Sequence, residues 1–156
     1  MKILCVIPAR GGSKGVKKKN IRKLNNRPLI AYTIESTLSS KLFDDVIVST
    51  DDNEIAEISK SYGAQVPFIR PSELAQDDSS SDQVILHSIL EMRKLGFEYD
   101  IVVLRDCTVP FIDAIDLAPV TSPFTFDDFG YPDSYFPWIR KGRPEIKSKT
   151  NYYLCN

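Results

Sequence analysis

A loop near the amino terminus, residues 9–20, has the residue types of an anion-binding site. Its glycines, Gly11, Gly12 and Gly15, allow the backbone to turn tightly and to approach a ligand without Cβ clashes. Successive backbone N–H groups in such a turn bind anions. The side chains that add positive charge along the loop are Arg10, Lys14 and Lys19. This combination suits a nucleoside triphosphate, and a solvated basic loop is the alternative. The spacing matches neither GxxxxGK[ST] nor GxGxxG.

Alternating strands and helices are predicted to position this loop. Buried parallel strands are indicated by apolar runs over residues 3–8, 45–49, 65–69 and 100–104. Helical apolar stripes separate these runs, which predicts an α/β fold with a doubly wound, mainly parallel sheet. Ligands bind beyond the carboxyl ends of the strands in such sheets. This rule selects three segments as candidate site loops, namely residues 9–20, 49–52 and 105–110.

Composition and charge exclude several other classes of protein. The 156 residues are 42% apolar and 26% charged, as in one globular domain. The net charge of −1 argues against bulk electrostatic binding to nucleic acid or to an anionic membrane. No apolar run reaches the roughly 20 residues that a membrane span needs. The three cysteines are far apart and form no CxxC pair, which indicates a reducing compartment, and we expect a cytoplasmic protein.

The character of the chain changes after Asp116. Residues 1–116 carry the strand and helix patterns and are predicted to form a nucleotide-binding α/β domain. Residues 117–156 contain five prolines and no apolar stripe of helical length. We predict an irregular segment there, either a truncated remnant or an arm.

Several motifs carry a resemblance to one enzyme family. They are IPARGGSKG at 7–15 with Lys19 and Asn20, PLIAYTI at 28–34, VIVSTD at 46–51 and IRPSELA at 69–75. In this collinear order, over about residues 1–112, the chain resembles the acylneuraminate cytidylyltransferases, also called CMP-sialic acid synthetases. The resemblance implies a nucleotide-diphospho-sugar transferase-like fold. It also implies transfer of CMP from CTP to an acidic nine-carbon sugar, with Mg²⁺ and release of pyrophosphate, in the biosynthesis of cell-surface polysaccharides.

The resemblance also assigns roles to individual residues. It implies that Arg10 and Lys19 are catalytic. The residues that it implies for nucleotide binding are Arg10, Gly11, Gly12, Ser13, Lys14, Lys19, Asn20, Arg70 and Ser80. It implies a homodimer if residues 117–156 include the family's dimerisation arm. Such a transfer needs no covalent enzyme intermediate, because it depends chiefly on positioning and on neutralising the charge of the phosphates.

The chain departs from the family pattern after the predicted fourth strand. The family usually reads LQPTSP there, and this chain reads LRDCTVP at 104–110. Arg105 could pair with the carboxylate of the acidic sugar, which makes it the candidate substrate-binding residue. Asp106 is the candidate Mg²⁺ ligand. The alternatives are an ion pair between Arg105 and Asp106, or a helix cap. The identity of the nonulosonate sugar therefore stays open.

Length is the larger departure from the family. The family's Asp-x-Asp metal pair, Asn-Gly motif and dimerisation arm are not recognisable in residues 117–156. We therefore predict that the 156-residue chain alone is weak or inactive as a synthetase. One alternative is a CTP- or CMP-binding module without catalysis. The other is a sugar nucleotidyltransferase that uses a different nucleotide.

Three further groups of side chains could have either a chemical or a structural role. Asp51 and Asp52 could bind Mg²⁺, or Asp51 could cap a helix. His87 could act as a general base, and a helix-surface histidine near Glu91 is the favoured interpretation. Cys107 could be a reactive thiol, but no neighbouring residue is predicted to lower its pKa.

Overall fold

The computed structural model describes residues 1–12, 15–16, 18–76 and 79–108, together with two later strands. In chain order the strands and α-helices are β1 (Ile3–Pro8), β2 (Lys23–Leu24), β3 (Arg27–Pro28), α1 (Leu29–Ser40), β4 (Asp45–Ser49), α2 (Asn53–Ser61), α3 (Ser81–Lys94), β5 (Ile101–Arg105), β6 (Ile139–Lys141) and β7 (Asn151–Cys155). Short 3₁₀ turns, Lys19–Ile21 and Ser72–Ala75, follow the glycine loop and precede α3.

The main sheet has the strand order β4-β1-β5-β7-β6. β1 pairs in parallel with β4 on one side and with β5 on the other. β5 pairs in parallel with β7, and β6 is antiparallel to β7. This arrangement confirms the predicted mainly parallel sheet.

Side-chain alternation along β1 divides the core into two layers. Cys5 and Ile7 belong to a cluster that includes residues of α1 and α2. Leu4 and Val6 point to the opposite face, where α3 and β5 complete a second cluster. Because every residue from 4 to 7 is fully buried, β1 lies at the centre of the molecule, with helices on both sides. This layering is the doubly wound architecture that the sequence predicts.

Three predicted regions differ from the structure. Residues 65–69 do not form a strand, and only Gln65 makes an isolated bridge to Ile47 of β4. Pro67 cannot donate a ladder hydrogen bond, which weakens a strand at this position. The β2–β3 hairpin is not among the predicted elements, and its turn residues Asn25 and Asn26 both have positive φ. Strands β6 and β7 fall within 117–156, so these parts of the segment are not irregular.

The helix ends follow local capping rules, with one shift from the prediction. Asp52, rather than Asp51, caps α2, because its side chain accepts hydrogen bonds from the N–H groups of Glu54 and Ile55. Ser80 caps α3 in a reciprocal capping box with Gln83.

The glycines that follow α2 and α3 allow a matched test of this packing. Gly63 and Gly96 have φ of +93° and +87° respectively. A Cβ on Gly63 would lie 3.2 Å from Cδ1 of Leu38, whereas a Cβ on Gly96 would meet no heavy atom within 4 Å. We expect Gly96→Ala to lower the free energy of unfolding by about 1 kcal/mol, from backbone strain alone. Gly63→Ala should cost about 2 kcal/mol, because Leu38 must also move. Urea unfolding of both variants measures the difference, and equal losses would show that the Leu38 contact is unimportant.

Candidate functional site

A cleft of about 280 Å³ opens at the carboxyl edge of the sheet, where the strand order reverses. The chain leaves β1 for β4 on one side and returns to β5 on the other, and this reversal leaves a crevice beyond the end of β1. Pro8 at the end of β1 forms part of its wall. The polar residues that line it are Arg10, Lys19, Asn20, Arg70, Gln76, Ser79, Ser81 and Asp106.

Positive charge dominates the described lining of this cleft. Arg10, Lys19 and Arg70 contribute three cations, against the single carboxylate of Asp106. The cations come from two separate segments, namely the glycine loop and the connection between α2 and α3. The sheet topology therefore brings together cations that are up to 60 positions apart in the chain. This arrangement suits a polyanion such as a triphosphate.

The backbone of the glycine loop is held by hydrogen bonds that the sequence does not predict. Asp51 Oδ1 accepts a hydrogen bond from the N–H of Gly11 at 3.0 Å. Asn20 Nδ2 donates to the carbonyl oxygen of Arg10 at 3.1 Å. Arg10 Nη1 donates to the carbonyl oxygen of Gln76 at 2.8 Å and so joins the loop to the segment before α3. Sequence reasoning missed Asp51 and Gln76 in these roles. The position of Asp51 at the end of a strand was the available signal, but it was interpreted as a helix cap.

The loop glycines and their neighbours do not all have the same role. Gly11 is required by space, because a Cβ there would lie 2.6 Å from Oδ2 of Asp52. Its N–H is already used by Asp51, so this particular N–H is not free for a phosphate. Gly12 is exposed, and a Cβ there would meet nothing within 4 Å. Ser13 and Lys14, both predicted nucleotide ligands, lie outside the described residues.

Arg70 is the most buried cation of the cleft lining, with 4% of its surface exposed. Its backbone N–H donates to the carbonyl oxygen of Thr50 at 2.7 Å, which fixes it to the end of β4. Its Nε is buried without a hydrogen-bond partner. Burial lowers the pKa of the guanidinium, Asp51 partly offsets this effect, and Arg10 adds to it. A buried arginine with an unsatisfied donor at a cleft suits an anionic or carbonyl-bearing ligand.

Ser80 is placed at the amino terminus of α3, next to the cleft. Its side chain accepts a hydrogen bond from the N–H of Gln83 in the capping box, whereas its neighbours Ser79 and Ser81 line the cleft. The predicted nucleotide-binding role of Ser80 stays a prediction, and its hydroxyl already serves the helix.

Arg105 lies in the core and not in the cleft, contrary to the predicted contact with a sugar carboxylate. Its side chain is fully buried. Its Nη1 donates to Ser36 Oγ at 2.9 Å and to Thr37 Oγ1 at 2.8 Å, both on α1. The physical reason is strand alternation, because β5 extends through residue 105 and turns this side chain towards α1.

Asp106, the residue after β5, does line the cleft. Its Oδ1 accepts a hydrogen bond from the N–H of Thr108 at 2.8 Å, as in an Asx turn. No group of three or more His, Cys, Asp or Glu side chains arranged to hold a metal occurs among the described residues. Asp106 is therefore the carboxylate that the described cleft offers to a cation.

His87 and Cys107 have structural surroundings. The ring of His87 packs edge-on against Phe68 at 5.2 Å between centroids, and its Nε2 lies 4.0 Å from Glu91. The position beside Glu91 agrees with the prediction, but the ring is partly buried against Phe68 instead of lying on the surface, and burial lowers the pKa of His87. Cys107 is fully buried, and burial raises the pKa of its thiol to about 12. A thiol with this pKa is not a nucleophile at neutral pH. No helix in the described part of the chain has the length and apolar character to cross a membrane.

The fold and the cleft together define the class, an α/β protein whose cationic site lies at the topological switch point of a mainly parallel sheet. In fold, the chain is similar to a CMP-2-keto-3-deoxy-manno-octonic acid synthetase solved with CTP. The TM-score is 0.68 at 19% identity, covering 100% of this chain and 72% of the other.

Sequence comparison gives the family. A family model described as cytidylyltransferase matches residues 4–118, so the chain belongs to the cytidylyltransferase family, and the resemblance to the acylneuraminate cytidylyltransferases is confirmed. The chain is 43% identical over 113 residues to a pseudaminic acid cytidylyltransferase of Campylobacter jejuni, covering 72% of this chain and 49% of that protein. It is also 43% identical over 113 residues to an N-acylneuraminate cytidylyltransferase of Escherichia coli, covering 72% of this chain and 26% of that protein. The chain thus spans less than half of the length of each of these two relatives.

Because Arg105 is buried away from the cleft, we expect its substitution to lower the stability of the fold and not to act through ligand binding. Arg105→Ala removes a large buried side chain and its hydrogen bonds to Ser36 and Thr37, so we expect the free energy of unfolding to fall by about 3 kcal/mol. Arg93→Ala, an exposed arginine on α3, is the control and should change it by less than about 0.5 kcal/mol. Urea unfolding measures both variants. An unchanged stability for Arg105→Ala would contradict the structural role.

Proposed function

We propose that the chain binds CTP in this cleft and serves the transfer of CMP to an acidic nine-carbon sugar. The observation that carries the proposal is the convergence of Arg10, Lys19 and Arg70 at the switch point of the sheet. Membership of the cytidylyltransferase family supports CTP as the nucleotide. The names of the relatives, which include pseudaminic acid and N-acylneuraminate enzymes, support an acidic sugar as the acceptor.

The chemistry that we propose needs charge neutralisation and positioning rather than a protein nucleophile. The anomeric hydroxyl of the sugar attacks the α-phosphorus, the bond to the β-phosphate oxygen breaks, and pyrophosphate leaves. Arg10 and Lys19 would neutralise the charge on the phosphates, and the buried Arg70 would hold the nucleoside end. Such transfers gain rate mainly from in-line placement and electrostatic stabilisation.

Magnesium fits the donor set of the cleft. Mg²⁺ is usually bound through one or two carboxylates together with substrate phosphates and water. Asp106 supplies one carboxylate at the cleft wall, and its Oδ1 is already oriented by Thr108. We propose Asp106 as the residue that would hold the ion. When bound, Mg²⁺ would neutralise phosphate charge. Arg105 is not proposed as a ligand for the sugar, because its guanidinium hydrogen-bonds to α1.

Titration calorimetry with CTP and Mg²⁺ tests the binding site. We expect wild-type chain to bind CTP, and Arg10→Ala and Lys19→Ala each to weaken binding at least about tenfold, because each removes a charged contact to phosphate. Lys23→Ala, on the exposed β2 strand, is the matched control and should leave the affinity unchanged. Absence of CTP binding by the wild type, or equal losses in all three variants, would contradict the proposal.

The nucleotide and the reaction need a separate experiment. Thermal shifts with CTP, UTP, GTP and ATP should be largest with CTP, and tighter binding of another nucleotide would favour a different sugar nucleotidyltransferase. Radiolabelled CTP with pseudaminic or N-acetylneuraminic acid then tests for a CMP-sugar. CTP binding without product would favour the binding-module alternative. Where product forms, Asp106→Asn should raise the Mg²⁺ concentration needed for half-maximal rate by about tenfold, because a neutral amide is a weaker ligand for a hard cation.

A further inference from the structure

The turn between β4 and α2, residues 50–52, and Glu54 in the first turn of α2 contact the glycine loop near both of its ends. At the first end, Asp51 Oδ1 accepts the N–H of Gly11, and a Cβ on the same glycine would lie 2.6 Å from Oδ2 of Asp52. At the second end, the ammonium group of Lys18 forms an ion pair with the carboxylate of Glu54. The loop is thus attached to one short acidic turn.

The same turn also reaches Arg70. The carbonyl oxygen of Thr50 accepts the backbone N–H of Arg70 at 2.7 Å, and the charge of Asp51 acts to raise the pKa of Arg70. The turn is therefore hydrogen-bonded to the backbone of two parts of the cleft, to Gly11 through Asp51 and to Arg70 through Thr50.

A carboxylate in this position needs an explanation, because it lies beside a proposed site for a triphosphate. Like charges repel, so Asp51 should weaken phosphate binding unless it serves another purpose. Asp52 and Glu54 have other purposes, since Asp52 caps α2 and Glu54 pairs with Lys18. Asp51 instead accepts a hydrogen bond from the glycine loop.

We propose that Asp51 is a positioning residue that holds the backbone of Gly11, near the start of the glycine loop, in its binding geometry before the nucleotide arrives. A backbone segment that is ordered in advance loses less conformational freedom on binding, so the affinity that remains is higher. This inference rests on the proposed CTP site and adds a residue that acts through Gly11 rather than through contact with the substrate.

Two substitutions of Asp51 separate positioning from simple repulsion. Asp51→Asn keeps an oxygen that can accept the Gly11 N–H, and Asp51→Ala does not. We expect calorimetry to give a dissociation constant for CTP about tenfold higher for Asp51→Ala, and within about twofold of wild type for Asp51→Asn. The control is Asp44→Ala, because Asp44 Oδ2 also accepts a backbone N–H, from Ile3 at 2.6 Å, at the opposite end of β1. It should leave CTP binding unchanged.

Amide hydrogen exchange of Gly11, followed by NMR without nucleotide, gives a second readout. The Gly11 amide should be protected in wild type and in Asp51→Asn, and should exchange faster in Asp51→Ala. This result does not depend on CTP, so failure of the proposed function and failure of this inference are distinguishable.

Several outcomes would overturn the role of Asp51. Tighter CTP binding in both Asp51 variants would show that the carboxylate acts only by repulsion. Unchanged affinity in Asp51→Ala, equal weakening in Asp44→Ala, or unprotected Gly11 in wild type would each exclude positioning.

Discussion

Because β1 has a parallel partner on each side, the connections to β4 and β5 leave it in opposite directions, and nothing in the sheet fills the space beyond its carboxyl end. The glycine loop, the turn after β4 and Asp106 all begin at this edge. The cleft is therefore a consequence of strand order. Any change that moved β4 or β5 to the other side of β1 would separate the cationic residues, whatever their side chains.

The charges at this edge oppose one another when no anion is present. Arg10 disfavours the charged form of Arg70, and burial disfavours it further, whereas Asp51 favours it. A phosphate placed among these groups would satisfy both arginines at once. The turn after β4 thus has two effects of opposite sign, since its carboxylates lower the potential of the cleft, while Asp51 and the Thr50 carbonyl hydrogen-bond to the backbones of Gly11 and Arg70. Which effect is larger depends on the distances between the groups. A hydrogen bond stabilises a single contact, whereas charge repulsion extends across the whole cleft.

Strands and helices were predicted correctly where the local sequence pattern is compatible with only one kind of structure. Apolar runs predicted β1, β4 and β5, and helical stripes predicted the helices, because burial on both faces of a parallel sheet leaves few alternatives. The direction of a side chain at the end of a strand was harder to predict from the sequence. Val103 and Arg105 share one face of β5, so a period of two could have placed Arg105 against α1, but Arg105 was predicted to bind a sugar carboxylate or to pair with Asp106. The hydrogen bonds of Asp51 and Gln76 join residues 40 and 66 positions apart, and no local pattern encodes them.

Arg105 and Asp106 are adjacent at the end of β5 but carry opposite charges, and one lies in the core while the other lines the cleft. The last residue of the strand, Arg105, follows the alternation into the core, and its guanidinium is held by hydroxyl groups of α1. Asp106 leaves the strand and lines the cleft, so this wall presents the carboxylate predicted as a Mg²⁺ ligand and not the guanidinium of Arg105. The negative charge of Asp106 would repel the phosphates of the proposed nucleotide and the carboxylate of the proposed sugar. A divalent cation held by Asp106 would offset this repulsion, because it would neutralise negative charge at this wall.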